Sequence, residues 1–129
     1  HLHAFGKNLG LAFQVQDDYL DAFGDPTIFG KKIGGDILAN KKTFLLIKTM
    51  EVATGPQARA IKELMKTNTQ DKIVNMLAIF RSCGVDQWAK ELKMKFIDRA
   101  YQHLEEAAVL SARKKPLREL AEFLVQRAY

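Results

Sequence analysis

The sequence predicts an all-α fold. Apolar residues recur at spacings of three and four along nearly the whole chain, which is the period of one helix face. No hairpin dipeptide separates two alternating apolar runs, so there is no strand signal. Glycine, proline and threonine fall where the periodic segments start and stop, as helix punctuation requires.

The elements follow in order. His3 to Phe23 holds no proline and keeps the helical period. Gly24-Asp25-Pro26 ends it, and "TIFGKKIGG", Thr27 to Gly35, reads as a glycine-rich loop. Asp36 starts a second predicted helix that runs to about Ala53, with Phe44, Leu45, Ile47 and Met50 on its apolar side. Pro56, after Thr54-Gly55, suits a helix first turn, and Ala58, Ile61, Leu64 and Met65 continue the period. Thr69 is a candidate N-cap for a helix carrying Ile73, Met76, Leu77 and Phe80 and ending at Cys83-Gly84. A long helix is expected from about Asp86 to Leu110. A short one is expected from Pro116 onward, with "ARKKP" as the turn between them.

Length and composition bound the function classes. A chain of 129 residues suits one domain, residues 1–129, with a real core. No apolar run approaches the roughly 18 residues of a membrane span, and no signal-peptide pattern opens the chain. The single cysteine, Cys83, has no internal partner, so a reducing cytoplasm is expected. Net charge is +5 and the pI about 9.4. The lysines and arginines do not form a basic block interleaved with aromatics, which argues against nucleic acid; a site for a small polyanion is the second reading, and where the charges fall decides between them.

The charged residues then carry the chemistry. In "FQVQDDYLDAFGD", Gln14, Asp17, Asp18 and Asp21 recur three and four apart on one helix. Like charges at that spacing repel unless something positive lies between them. Hard divalent cations such as Mg²⁺ take oxygen ligands, commonly one or two carboxylates plus substrate phosphates. Phe13, Val15, Tyr19, Leu20 and Phe23 surround the acids, which is unlike a merely solvated face. Lys31 and Lys32 sit in the glycine-rich loop, where backbone can approach a ligand closely, and Lys41 and Lys42 follow Asp36. Acids alternating with lysines suit metal ions bridging phosphate oxygens while ammonium groups neutralise the rest.

Taken together, "GLAFQVQDDYLDAFGD", "FGKKIGGDI" and "NKKTFLLIKT" closely resemble the second aspartate-rich region of the trans-polyprenyl diphosphate synthases, the family of farnesyl and geranylgeranyl diphosphate synthases. The match is strong over about residues 4 to 50 and looser to Tyr129. The resemblance implies an all-helical isoprenoid synthase bundle, of which this chain is the C-terminal part, and a homodimer when complete. It implies a prenyltransferase that joins an allylic diphosphate to isopentenyl diphosphate, with Mg²⁺ assisting ionisation. By position, Asp17 matches an aspartate that binds Mg²⁺ directly, and Asp18 and Asp21 match partners that act on the metal through water. Gln14 matches a glutamine lining the allylic site, and Lys41 a lysine that contacts the diphosphate. Asp36 matches a residue that orients a lysine or a water. Of the loop lysines, the longer spacing here selects Lys31, whereas a shorter family variant selects Lys32.

The resemblance also implies a first aspartate-rich motif upstream, and none precedes these residues in the 129 given. His1 opens straight into a helical pattern with no capping signal, as the cut end of a longer chain would. The expected consequence is half a site, inactive alone, without the residues that limit product length. A non-catalytic regulatory subunit related to the synthases is the alternative, although it has no need of an intact acid and lysine set. His1 and His3 are two apart and do not share a helix face, and His103 is isolated. Cys83 reads as packing, and Trp88 and Tyr101 as core or interface anchors. Arg127 is either surface charge or a basic residue of a tail that covers the isopentenyl diphosphate site.

Overall fold

The computed structural model describes residues 2–25, 33–106 and 111–126. Those residues form seven helices and no strand: α1 (Leu2–Phe23), α2 (Gly35–Leu38), α3 (Phe44–Val52), α4 (Gly55–Met65), α5 (Gln70–Ser82), α6 (Val85–Glu106) and α7 (Ser111–Gln126). The all-α expectation holds. No helix among them is long and apolar enough to cross a membrane.

The chain divides into two compact units, one of Val15–Lys90 and one of His1–Gln14 with Glu91–Tyr129. In the second of these, Phe5 and Leu9 of α1 pack with Ala100 and Leu104 of α6 and Ala121 of α7. Leu104 is fully buried. Tyr101, read as a core or interface anchor, packs against this cluster beneath the Arg118 guanidinium. Arg118 in turn pairs with Glu105.

The unit Val15–Lys90 holds most of the functional candidates. There α5 is the central element and packs against α2, α3 and α4. Its Met76 and Phe80 are buried at four-residue spacing, as a helix facing a core requires. Local signals set the ends. Thr54 and Gln57 form a reciprocal capping box at the start of α4, which satisfies two donors that the helix leaves orphaned. Thr43 caps α3 by accepting the Leu46 N–H. Gly84, at φ 69°, follows the end of α5.

Two boundaries differ from expectation. The predicted helix from Asp36 to Ala53 is broken into α2 and α3 by residues 39–43. Asn40 there has a φ of 55°, a left-handed conformation that asparagine tolerates and that ends helices. At the other end, the last helix starts at Ser111, so "ARKKP" lies within α7 and Pro116 is inside the helix. Proline removes one backbone donor and its ring crowds the preceding turn. Near the start of α7 this touches only the first turns.

Candidate functional site

Helix α1 is buried around most of its circumference after Gln14. Val15, Gln16, Asp18, Leu20, Asp21 and Ala22 are all buried, and Asp17 is exposed. The two buried acids hold the chain segment that follows. The Asp21 carbonyl accepts the Gly34 N–H at 2.7 Å, and its Oδ2 accepts the Asp36 N–H at 2.9 Å. Gly34 has a φ of 90°, and a Cβ there would lie 2.6 Å from Cδ1 of Ile73. Glycine is therefore required at that turn on both conformational and steric grounds. Asp18 Oδ2 accepts the Phe44 N–H at 3.0 Å, at the first residue of α3. Both carboxylates thus receive donors from helix N-termini, where negative charge is favoured.

Between α2 and α3 the chain makes a Schellman turn. The Asn40 N–H donates to Ile37 O at 3.1 Å and the Lys41 N–H to Asp36 O at 2.9 Å, the paired bonds of that motif with Asn40 in the left-handed position. The turn brings the Lys41 ammonium 3.8 Å from Asp36 Oδ2 and 3.9 Å from Asp18 Oδ1. The Lys41 side chain remains 52% exposed while Asp18 is 3% exposed. Asp18, Asp21, Asp36 and Lys41 share one cleft with the apolar side chains of Leu45, Leu46, Met76 and Phe80. Charged and apolar side chains line it together.

The sequence-predicted residues divide accordingly. The cleft brings together Asp18, Asp21, Asp36 and Lys41. Asp17 is exposed on α1 and is not among the cleft-lining residues. Gln14 is exposed and belongs to the other unit. Lys31, Lys32 and Arg127 lie outside the described residues. Among the described residues, no group of three or more His, Cys, Asp or Glu side chains could hold a metal ion. Successive residues on a helix point about 100° apart, so Asp17 and Asp18 diverge. Trp88 is half-buried under the Lys48 ammonium, which sits 5.3 Å from its ring centroid.

Sequence reasoning missed Asn40 and Lys72. Lys72, in the first turn of α5, has no exposed surface at all. Its ammonium lies 2.6 Å from Asn40 Oδ1 and 3.5 Å from Leu38 O. A signal existed in the period, since Lys72, Met76 and Phe80 fall four apart on one face.

The comparisons with known proteins agree on a family. The family model described as polyprenyl synthetase matches residues 1–80. The geranylgeranyl diphosphate synthase of Saccharolobus solfataricus is 35% identical over 129 residues, covering 98% of this chain and 39% of that protein. A crystal structure of geranylgeranyl pyrophosphate synthase superposes with a TM-score of 0.83 at 35% identity, over 97% of this chain and 40% of that one. The geranylgeranyl pyrophosphate synthase of Corynebacterium glutamicum, solved with isoprenyl diphosphate and magnesium, gives 0.79 at 28% identity, over 96% and 36%. The chain thus spans well under half the length of the relatives it matches. With more than half its residues inside the family model and its helices superposing on solved synthases, this chain belongs to the polyprenyl synthetase family.

Proposed function

We propose that the chain forms the C-terminal, diphosphate-binding part of a prenyltransferase that condenses isopentenyl diphosphate with an allylic diphosphate. The observation that carries this reading is Lys41. Its ammonium is held beside two carboxylates at an acidic and apolar cleft, yet half of the side chain remains exposed.

In that reaction the allylic carbon–oxygen bond breaks and negative charge builds on the departing diphosphate. A pre-positioned ammonium in a partly apolar cleft stabilises that charge without reorganising. Asp36 and Asp18 restrain Lys41, and Asp18 and Asp21 in turn hold the N-termini of α3 and α2. Asp17 supplies an exposed carboxylate, the hard oxygen donor that Mg²⁺ takes together with phosphate oxygens. Asp18 and Asp21 add oxygens whose first duty is to backbone N–H groups. The Asp17 carboxylate is the residue that would hold Mg²⁺ together with phosphate oxygens of the ligand, and the ion, when bound, would act as a Lewis acid on the diphosphate. The roles that the resemblance implies for Gln14 and for one of Lys31 and Lys32 belong to this proposal, and the complete protein would be a homodimer.

The test is prenyl transfer by the full-length protein containing these residues, given isopentenyl and geranyl diphosphates with Mg²⁺. Product mass reports chain length. Lys41→Ala should lower turnover by about 10²-fold or more. Diphosphate binding without turnover in the full-length protein would point to the regulatory-subunit reading, and an active Lys41→Ala enzyme would remove the residue from the mechanism.

A further inference from the structure

We infer that Lys72 is a positioning residue: its buried ammonium locks the Asn40 side chain and thereby sets where Lys41 stands. The inference rests on Lys41 being a diphosphate ligand, and it adds a residue that no motif includes.

A lysine with no exposed surface is rare, because removing the charge from water is costly unless polar partners replace the water. At this site an apolar side chain of similar volume would avoid that cost. What Lys72 obtains is a hold on Asn40. Its ammonium only donates, so the atom 2.6 Å away is the amide oxygen of Asn40. The Met65 carbonyl only accepts, so the Asn40 atom 2.9 Å from it is the amide nitrogen. The side-chain amide is therefore oriented from both sides, by the first turn of α5 and the last residue of α4. Lys72 also reaches Leu38 O at the end of α2.

Asn40 is the one non-glycine residue with positive φ among the described residues, and it directly precedes Lys41. Its backbone closes the Schellman turn that returns the Lys41 N–H to Asp36 O. A buried cation, an oriented amide, a left-handed turn and the exposed lysine thus form one continuous chain of contacts. Lys72 is not among the cleft-lining residues, whereas Asn40 and Lys41 both are, so Lys72 acts through the Asn40-Lys41 turn and not by its own contact with a ligand.

The experiment is a double-mutant cycle between Lys72→Met and Lys41→Ala in the full-length enzyme, with amide exchange of the Lys41 N–H as a second readout. Lys72→Met should lower kcat/KM for the allylic diphosphate by about 10²-fold, the scale for misplacing a group by about 1 Å. The KM for isopentenyl diphosphate should not change. In the Lys41→Ala background, Lys72→Met should cost nothing further. Lys72→Gln keeps a donor for Asn40 and should recover part of the loss. The Lys41 amide should exchange faster in Lys72→Met, while the Val15 amide does not change. Additive losses would overturn the inference, because they would mean that Lys72 serves the fold generally. Unchanged kinetics in Lys72→Met would also overturn it. If Lys72→Met does not fold, Lys72→Gln carries the same cycle with a smaller expected loss, since it keeps a donor for Asn40 and removes the buried charge. If the parent enzyme shows no prenyl transfer, the synthase reading falls. Amide exchange then decides the positioning alone, and unchanged Lys41 protection sinks it.

Discussion

Asp17 and Asp18 are adjacent in one motif, and their alanine substitutions should fail in opposite ways. Asp18 is buried and accepts the Phe44 N–H. Removing a charged acceptor from a buried donor costs about 1.5–3 kcal/mol. Its pairing with Lys41 is long, at 3.9 Å, and Lys41 is half in water. Screening limits that part to less than about 1 kcal/mol. Asp18→Ala should therefore destabilise the protein by about 1.5–4 kcal/mol. Asp18→Asn keeps an oxygen for the Phe44 N–H and should cost less. Asp17 is exposed, so Asp17→Ala should change stability by no more than about 0.5 kcal/mol. Its activity should nevertheless fall by about 10²–10³, as for the loss of one strong electrostatic stabiliser. Asp21→Ala should follow Asp18, with its cost appearing in the turn from Gly34 to Asp36. Urea denaturation and steady-state rates on the same full-length samples separate the two effects, and exchange of the Phe44 amide reports the local one. Equal destabilisation by Asp17→Ala and Asp18→Ala, or a Phe44 amide still protected in Asp18→Ala, would refute the division.

The 129-residue chain alone should show no prenyl transfer with isopentenyl and geranyl diphosphates and Mg²⁺, and any turnover by it would defeat the half-site reading. Lys31→Ala in the full-length enzyme should raise the KM for the allylic diphosphate and lower turnover, while Lys32→Ala changes little; the reverse pattern would select the shorter loop spacing. Burial, reinforced by Glu122 and opposed by Arg118, raises the Tyr101 phenol above its ordinary 10.0. The folded state therefore favours the neutral phenol. That contribution to stability is complete below pH 10 and is lost as pH rises through the folded value, which an alkaline absorbance titration of wild type against Tyr101→Phe would register.

Much of this architecture was legible because helix periodicity and capping residues act locally. Thr54, Pro56, Thr69 and Gly84 all mark real boundaries. Asn40 carries no local signal strong enough to break the helix read from Asp36 to Ala53, because Ile37 and Phe44, seven apart, fall on one helix face, and the left-handed turn is held by contacts with Met65 and Lys72 that are distant in sequence. Pro116 misled in the other direction. Proline marks a first turn when it stands at the start of a helix, but α7 begins five residues earlier. In the site, the spacing of Asp17, Asp18 and Asp21 identified the helix, but spacing alone could not separate a buried acid from an exposed one.

That separation answers why so much negative charge lies on a buried helix. Asp18 and Asp21 are three apart and both buried, and each meets the N-terminal backbone of a later helix. Neither is an N-cap residue by position, yet both serve as caps through space. Their repulsion is offset by oriented N–H groups and, for Asp18, by Lys41. The acids of α1, the glycine turn, Asp36 and the Asn40-Lys41 pair therefore behave as one folded unit, not as separate motifs. In such a unit the position of Lys41 depends on residues distant from it in sequence as well as on the two carboxylates beside it. A change at Asp18 or Asp21 should consequently be felt at Lys41 before any ligand is bound.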